Sequence, residues 1–307
     1  MKIVIALGGN AIITKNDKYT YLNLLKNIRK TCKNISKLIK ENKAVITHGN
    51  GSEIGFLLLQ NEIAKRKIPE MPLDVLGAES EGLIGYILQE QLINVLRKNK
   101  IKRNVATLIT QTLVSKNDVA FKNPTKFIGQ FYTEKQIKNL KFTVKKDSNR
   151  GYRRVVPSPK PIMIIESNII NKLVEKNYIV VCAGGGGVPV VLENKKLKGV
   201  NCVVDKDLSS SCLANEINAD LLLIITDVDK VYLNYGKYNQ ICLRKLNIND
   251  AKKYLNEGQF PDGSMGPKIK AAINFLEKFN QKRKVIITNI NNIEKALKGK
   301  EGTTIVR

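Results

Sequence analysis

Apolar residues fall along this chain in short unbroken runs separated by helical stretches, the alternation of an α/β protein built on a parallel sheet. The run at 3–7 (Ile3, Val4, Ile5, Ala6, Leu7) is apolar throughout, as a strand covered on both faces should be. Leu22, Leu25, Ile28, Cys32, Ile35 and Ile39 then recur at helical spacing and predict a crossover helix with one buried face. A second strand over 44–47 completes a βαβ unit. Both strands should run parallel, with the turns after them at one edge of the sheet, where ligands sit in open α/β folds. A long helical pattern follows from 73 to about 99, with strands over 104–110 and 179–183 and a helix around 167–175. Val203 and Val204 read as the end of a strand, before a helical run over 208–217. The last third repeats the alternation, with a central strand over 221–225, an apolar helix from Pro267 to Phe279, and closing strands over 285–288 and 304–306.

The pattern breaks between 115 and 161. Periodicity weakens there, and Lys, Asn, Gly and Pro accumulate around Asn123-Pro124-Thr125-Lys126. A stretch this long without a period is usually functional or disordered. Its aromatics, Phe121, Phe127, Phe131, Tyr132 and Phe142, argue for a small packed lid. The segment from Arg153 to Pro161 is stiffened by three prolines and returns the chain to the main body.

Glycines mark the strand ends. Gly8-Gly9-Asn10 follows the first strand and Gly49-Asn50-Gly51 the second, and either turn can be a plain connection or a close backbone approach to a ligand. Gly184-Gly185-Gly186-Gly187 is entropically costly for a mere turn, and a nest of backbone N–H groups around an oxyanion explains it better. Small residues at Gly77-Ala78-Glu79-Ser80-Glu81-Gly82 admit either tight helix packing or a ligand. His48 is the sole histidine and stands beside a glycine turn, as a turn-stabilising hydrogen-bonder or as a base. Neither the dinucleotide fingerprint nor a P-loop occurs.

Composition narrows the chemistry. With 307 residues, 43% hydrophobic and 26% charged, the chain is globular and can bury a large core. No apolar run is long enough to span a bilayer, and the opening 3–7 run is too short for a signal peptide, so a cytoplasmic protein is expected. The net charge of +25 is spread over every helix, without a basic tail or aromatic–basic interleaving. That favours attraction of anionic substrates over specific nucleic-acid binding. Five cysteines without Cys-x-x-Cys spacing and a single histidine argue against a zinc site or a disulfide framework.

The chemistry centres on Asp205-Lys206-Asp207 at the start of the helix over 208–217. A lysine between two carboxylates is held in direction, and the following helix N-terminus favours anions. Alone, the triplet also fits a surface ion pair at a helix start. Lys268, in Gly263-Ser264-Met265-Gly266-Pro267-Lys268, projects from a second helix start, and Lys126 lies on the insert. Asp227 and Asp229 end the central strand and suit ribose hydroxyls, a metal or a cap. Separated lysines beside glycine turns suit several phosphates held in line.

In these segments, and in Arg153-Arg154-Val155-Val156-Pro157-Ser158-Pro159-Lys160-Pro161, the sequence resembles the carbamate kinases of the amino acid kinase family, in the expected order from end to end. The resemblance implies an open, mainly parallel αβα sandwich with a small inserted lid. A small-substrate lobe would cover 1–210, with the lid at about 115–161, and a nucleotide lobe 211–307. It implies reversible phosphoryl transfer between ATP and carbamate, giving ADP and carbamoyl phosphate, ATP-forming in arginine fermentation. A homodimer is implied, and Mg²⁺ carried by the nucleotide phosphates rather than by protein side chains. Lys206 and Lys268 would neutralise the transferring phosphoryl and nucleotide phosphates, Asp207 would orient them, and Lys126 would reach the carbamoyl phosphate side. Gly8, Gly9, Asn10, Gly49, Asn50 and Gly51 would cradle the small substrate, with Gly184, Gly185, Gly186 and Gly187 beside it. Asp227, Tyr232, Met265 and Gly266 would lie at the nucleotide.

The chain departs from that pattern at Ser52-Glu53 (Pro-Gln in the family), at Glu79-Ser80-Glu81 (Met-Ser-Gln), at Phe127-Ile128-Gly129-Gln130 (Pro-Ile-Gly-Pro), and at Tyr235 (tryptophan). Glu79 and Glu81 place two extra negative charges near an anion site. Two alternatives follow: a related kinase for another small oxyanion, and a catalytically weak nucleotide-binding regulatory homologue.

Overall fold

The computed structural model describes residues 1–307 apart from 15, 16, 139 and 148–150, and apart from the side chain of Asn10. Strand β1 (Lys2–Leu7) leads through a tight turn at Gly9–Ala11 to α1 (Tyr21–Glu41) and β2 (Lys43–His48). Helices α2 (Gly51–Ala64) and α3 (Leu73–Lys98) precede β3 (Val105–Thr107) and β4 (Gln111–Val114). The insert carries β5 (Lys126–Tyr132), the single turn α4 (Glu134–Ile137), β6 (Val144–Lys146) and β7 (Tyr152–Val156). Then come β8 (Pro161–Ile164), α5 (Ser167–Glu175), β9 (Ile179–Val181), β10 (Val188–Glu193), β11 (Lys196–Gly199), α6 (Lys206–Glu216) and β12 (Leu221–Thr226). The last part holds β13 (Val231–Leu233), β14 (Ile241–Leu243), β15 (Lys245–Asn247), α7 (Ile248–Asn256), α8 (Met265–Glu277), β16 (Lys284–Asn289), α9 (Ile293–Leu297) and β17 (Thr303–Val306).

Eight strands form the main sheet in the order β15-β17-β16-β12-β1-β2-β9-β3, parallel except where β17 runs antiparallel to β16. Alternate residues of β1 feed opposite cores. Val4 and Ala6 pack with α5, α6, α7 and α8, while Ile3, Ile5 and Leu7 pack with α1, α3 and α9. This is the three-layer αβα arrangement expected from the unbroken apolar strands. The closing strand 304–306 lies inside the sheet, and the edge is β15, too short to stand out in the sequence.

Other expectations need correction. On α1, Leu22 is exposed and Leu24 takes the buried position, so the inward stripe starts one residue out of the anticipated phase. Val203 and Val204 end no strand; they form an extended connection whose Val203 amide donates to the Pro157 carbonyl. The 104–110 stretch forms only the short β3, and a second sheet, β11-β10-β4-β8, follows beside it. The lid has its own sheet, β5-β7-β6, with Tyr132 and Phe142 rings 5.8 Å apart. Among the described residues no helix is long and apolar enough to cross a membrane. Cys32, Cys182 and Cys202 are buried free thiols, Cys212 is half-buried and Cys242 exposed.

Candidate active site

The β1 and β2 turns lie side by side at the carboxyl edge, because β1 and β2 pair in register from Lys2↔Lys43 to Leu7↔His48. At Gly8 an added Cβ would stand 2.7 Å from the Ile225 carbonyl oxygen, so the close passage of β12 demands glycine there. At Gly9 and Gly51 an added Cβ would meet nothing within 4 Å, and both line clefts. Gly51 opens α2, whose first amides face that edge. The Asn10 side chain lies outside what the structure describes.

Helix α6 begins at Lys206 because Asp205 caps it, accepting from the amides of Asp207 (2.9 Å) and Leu208 (3.4 Å). Asp207, on the first turn, is almost wholly buried and bridges two lysines. Lys206 Nζ donates to its Oδ1 at 2.5 Å and Lys268 Nζ, from the first turns of α8, to its Oδ2 at 3.1 Å. The other oxygen of Asp205 accepts from Lys126 Nζ at 2.6 Å, which ties the lid to the same helix start. Three lysines separated by up to 142 positions (126 to 268) therefore converge on Asp205 and Asp207. Burial pulls the Lys206 ammonium below its ordinary range, partly against Asp207, and the Lys268 charge adds to that pull. Burial also acts on Lys268, but Asp207, with Asp205 and Asp227 beyond it, outweighs it and holds this ammonium above its ordinary range. For Asp207, burial opposes ionisation, yet the two lysines hold the carboxyl well below the usual carboxylate range. The cluster is thus a buried anion between two cations, with donor capacity left on both ammonium groups.

Two clefts meet here and share Gly9. One, of ≈ 430 Å³, runs from Gly8, Gly9, Lys206 and Lys268 past Asp227, Tyr232 and Met265. The other passes Gly51, Glu53 and Phe56 to the lid residues Phe127 and Arg153. Tyr232 donates its hydroxyl to Asp229 at 2.5 Å, and the Asp229 carboxylate pushes the phenol up to about 12. Gly266 is turned away, its amide bonded to the Pro261 carbonyl. Among the described residues no three His, Cys, Asp or Glu side chains gather as a metal site.

The Gly184–Gly187 loop behaves differently from the expected nest. The amide of Gly184 donates to Glu81 at 2.9 Å, that of Gly186 to the Ala183 carbonyl and that of Gly187 to the Gly184 carbonyl. Close packing is what requires glycine. A Cβ at Gly186, where φ is +97°, would stand 2.3 Å from the Val204 carbonyl oxygen, and one at Gly184 2.3 Å from His48. Asn50 lies against this loop and donates to Ser80 Oγ at 2.7 Å. Of the two extra acids on α3, Glu79 is exposed while Glu81 is buried.

Four residues without an assigned role in the sequence reading line or support the clefts. Arg153 donates to Asp147 (3.2 Å) and to the Gly129 carbonyl (3.1 Å) and stacks near Phe131. Its strand, Tyr-Arg-Arg-Val-Val, shows no alternation that would have singled it out. Glu53, in the first turn of α2, is buried with Oε1 unpaired among the described residues, and burial raises its carboxyl. Gln259 and Phe260 line the cleft beside Tyr232 and Met265 from a turn with no distinctive sequence mark.

The sequence profile of the amino acid kinase family matches residues 1–289. A carbamate kinase of Thermococcus kodakarensis is 46% identical over 314 aligned residues covering 100% of this chain and 99% of that protein. One from Clostridium perfringens is 43% identical, with 100% of each chain covered. The solved carbamate kinase of Giardia lamblia bound to AMP-PNP superposes with a TM-score of 0.93 at 42% identity, covering 99% of this chain and 98% of that one. A UMP kinase from Bacillus anthracis, at 17% identity and a TM-score of 0.54, shares the fold alone. This chain belongs to the amino acid kinase family and is a phosphotransferase of its carbamate kinase branch.

Proposed function

We propose that the protein transfers a phosphoryl group reversibly between ATP and carbamate, giving ADP and carbamoyl phosphate. The observation that carries this is the Lys206–Asp207–Lys268 bridge at the junction of the two clefts. A carbamate oxygen forms the new bond to the γ-phosphorus while the bond to the β,γ-bridging oxygen breaks and ADP leaves. Little covalent chemistry falls to the protein in such a transfer; catalysis is positioning and charge neutralisation. Lys206 and Lys268 neutralise the migrating phosphoryl and the nucleotide phosphates, and Asp207 aims them. Lys126 reaches carbamoyl phosphate from the lid when it exchanges Asp205 for the ligand. Gly8, Gly9, Gly49, Asn50 and Gly51 form the small-substrate side, with Gly184 to Gly187 holding it from behind. Asp227, Tyr232 and Met265 bound the nucleoside end.

Mg²⁺ fits this site as a passenger on the nucleotide, because both oxygens of Asp207 are already taken by lysines. It would supply charge neutralisation at the phosphates. The resemblance to carbamate kinases also supports ATP formation within arginine fermentation, a cytoplasmic location and a homodimer. Exposed Leu83, Tyr86 and Ile109, grouped on and beside α3, offer one apolar face for a second copy. Purified protein given ADP, Mg²⁺ and carbamoyl phosphate should form ATP in a coupled assay. No ATP from folded protein would overturn the proposal.

A further inference from the structure

Behind the substrate side lies a buried acid that the transfer step leaves unused. Glu81 is wholly inaccessible. Its Oε1 accepts from the Thr110 hydroxyl at 2.7 Å and the Gly184 amide at 2.9 Å, and its Oε2 from the Thr110 amide at 3.2 Å. The same Thr110 hydroxyl accepts from the Ala183 amide at 2.7 Å. One carboxyl thus fixes where β9 ends and the glycine loop begins.

On the other face of Gly184 lies His48, also fully buried. Its Nδ1 is 3.1 Å from the Gly49 carbonyl oxygen, so Nδ1 carries the proton and Nε2 presents a bare lone pair, without a partner among the described residues. A Cβ on Gly184 would stand 2.4 Å from His48 Nε2 and 2.9 Å from Glu81 Cγ. Glu81, Gly184 and His48 are therefore stacked in direct succession. The next residue, Gly49, faces the Lys206 side chain, whose Cδ is 3.8 Å from the place of a Gly49 Cβ. The loop also meets the approach to α6: Gly186 accepts from Ser209 Oγ at 2.9 Å and abuts the Val204 carbonyl.

Resting on the phosphoryl-transfer reading, we infer that Glu81 is a positioning residue for that reaction: by accepting from Thr110 and Gly184 it locks the Gly184 turn against His48 and so fixes the wall carrying Gly49 and Lys206. Ionised, it sets an uncompensated negative charge behind an anion site. The groups facing it supply no countercharge. From the segment before α5 comes another acid, Glu166; from the end of β9 comes the Cys182 thiol, itself raised by burial with Glu81 adding to the effect. His48 is neutral, and the Lys206 charge beyond it is committed to Asp207. Burial, against the hydrogen bonds from Thr110 and Gly184, pushes the Glu81 carboxyl up to about 7.

The test compares wild type with Glu81→Gln, a neutral side chain of the same shape, in the ATP-forming direction. From about pH 6 to about pH 8.5, the wild-type KM for carbamoyl phosphate should rise about threefold to tenfold, the scale of one uncompensated charge at an effective dielectric near 20. Glu81→Gln should stay nearly level over the same range, whereas Glu81→Ala, which loses the strut, should lower kcat at every pH. Thermal melting gives a readout independent of turnover. An acid raised in the fold loses its stabilising contribution as pH climbs from its ordinary 4.5 to about 7. The Tm advantage of Glu81→Gln over wild type should therefore be larger at about pH 8 than at about pH 5. Parallel KM profiles for the two proteins, or a Tm difference that does not change with pH, overturn the inference. A wild type that melts as described but makes no ATP overturns the transfer reading instead.

Discussion

Two parts of the site invite comparison: the lysine–aspartate cluster at the start of α6 and the glycine loop at 184–187. In the first, every buried charge has a partner, since Asp207 binds two ammonium groups, and both lysines line the open cleft. In the second, backbone is pressed against His48, Val204 and Thr112, and Glu81, which accepts from the Gly184 amide, has no ion-pair partner among the described residues. The contrast separates two uses of special residues at strand ends. Charge beside a cleft is available to a ligand, whereas glycine packed against a neighbour builds the wall behind it. Substitutions of the lysines in the first region should cost rate and spare the fold, and substitutions of the glycines in the second should chiefly cost stability.

The largest effect is expected in the cluster. Lys206→Ala and Lys268→Ala should each lower kcat by about 10²- to 10³-fold, the scale for losing one preorganised charge contact. Each leaves Asp207 one lysine, so thermal melting should still show a folded protein. Next comes Gly186→Ala, which places a Cβ against the Val204 carbonyl in a left-handed conformation. It should destabilise by about 2–4 kcal/mol in urea titration, with the kcat of the folded fraction falling far less than in the lysine variants. A loss confined to rate would break the comparison.

The third effect is pH dependence in the packed region. Burial holds His48 down to about 4, below its ordinary 6.5. The unfolded chain takes up this proton first, so the His48 contribution to stability should fall as pH drops from 6.5 towards 4 and level off below, opposite in sign to that of Glu81. Between about pH 7 and pH 5 the stability of wild type relative to His48→Gln should therefore fall by on the order of 1–2 kcal/mol in urea titration. The smallest effect sharpens the boundary between the regions. Gly9 has open space beside it, so Gly9→Ala should leave melting unchanged while raising KM about threefold to tenfold by narrowing the junction of the clefts.

Much of this was legible because strand ends and helix starts leave strong marks. Lys206 and Lys268 could be placed since each follows a capping or proline-bearing helix start, and a parallel sheet gathers such starts on one edge. The αβα layering followed from β1, β2 and β12 being apolar on both faces. The sheet β11-β10-β4-β8 left little trace, because its strands are short and partly exposed at Ile162, Met163, Leu192 and Leu197. Glu79 and Glu81 look equivalent in sequence, yet two positions along a helix turn to different faces, and only the docking of α3 on the glycine loop decides which is buried. Four glycines in a row signal a constraint on backbone, without saying whether a ligand or a neighbouring strand imposes it.

The central claim is that the side chains at 206 and 268 act on one phosphoryl group through a shared carboxylate. A double-mutant cycle in the ATP-forming assay addresses it most directly, with wild type, Lys206→Ala, Lys268→Ala and the pair measured together. The account predicts that the double variant is little slower than the slower single variant. Losses that multiply across the two positions, or a wild type that makes no ATP from ADP and carbamoyl phosphate, would contradict it.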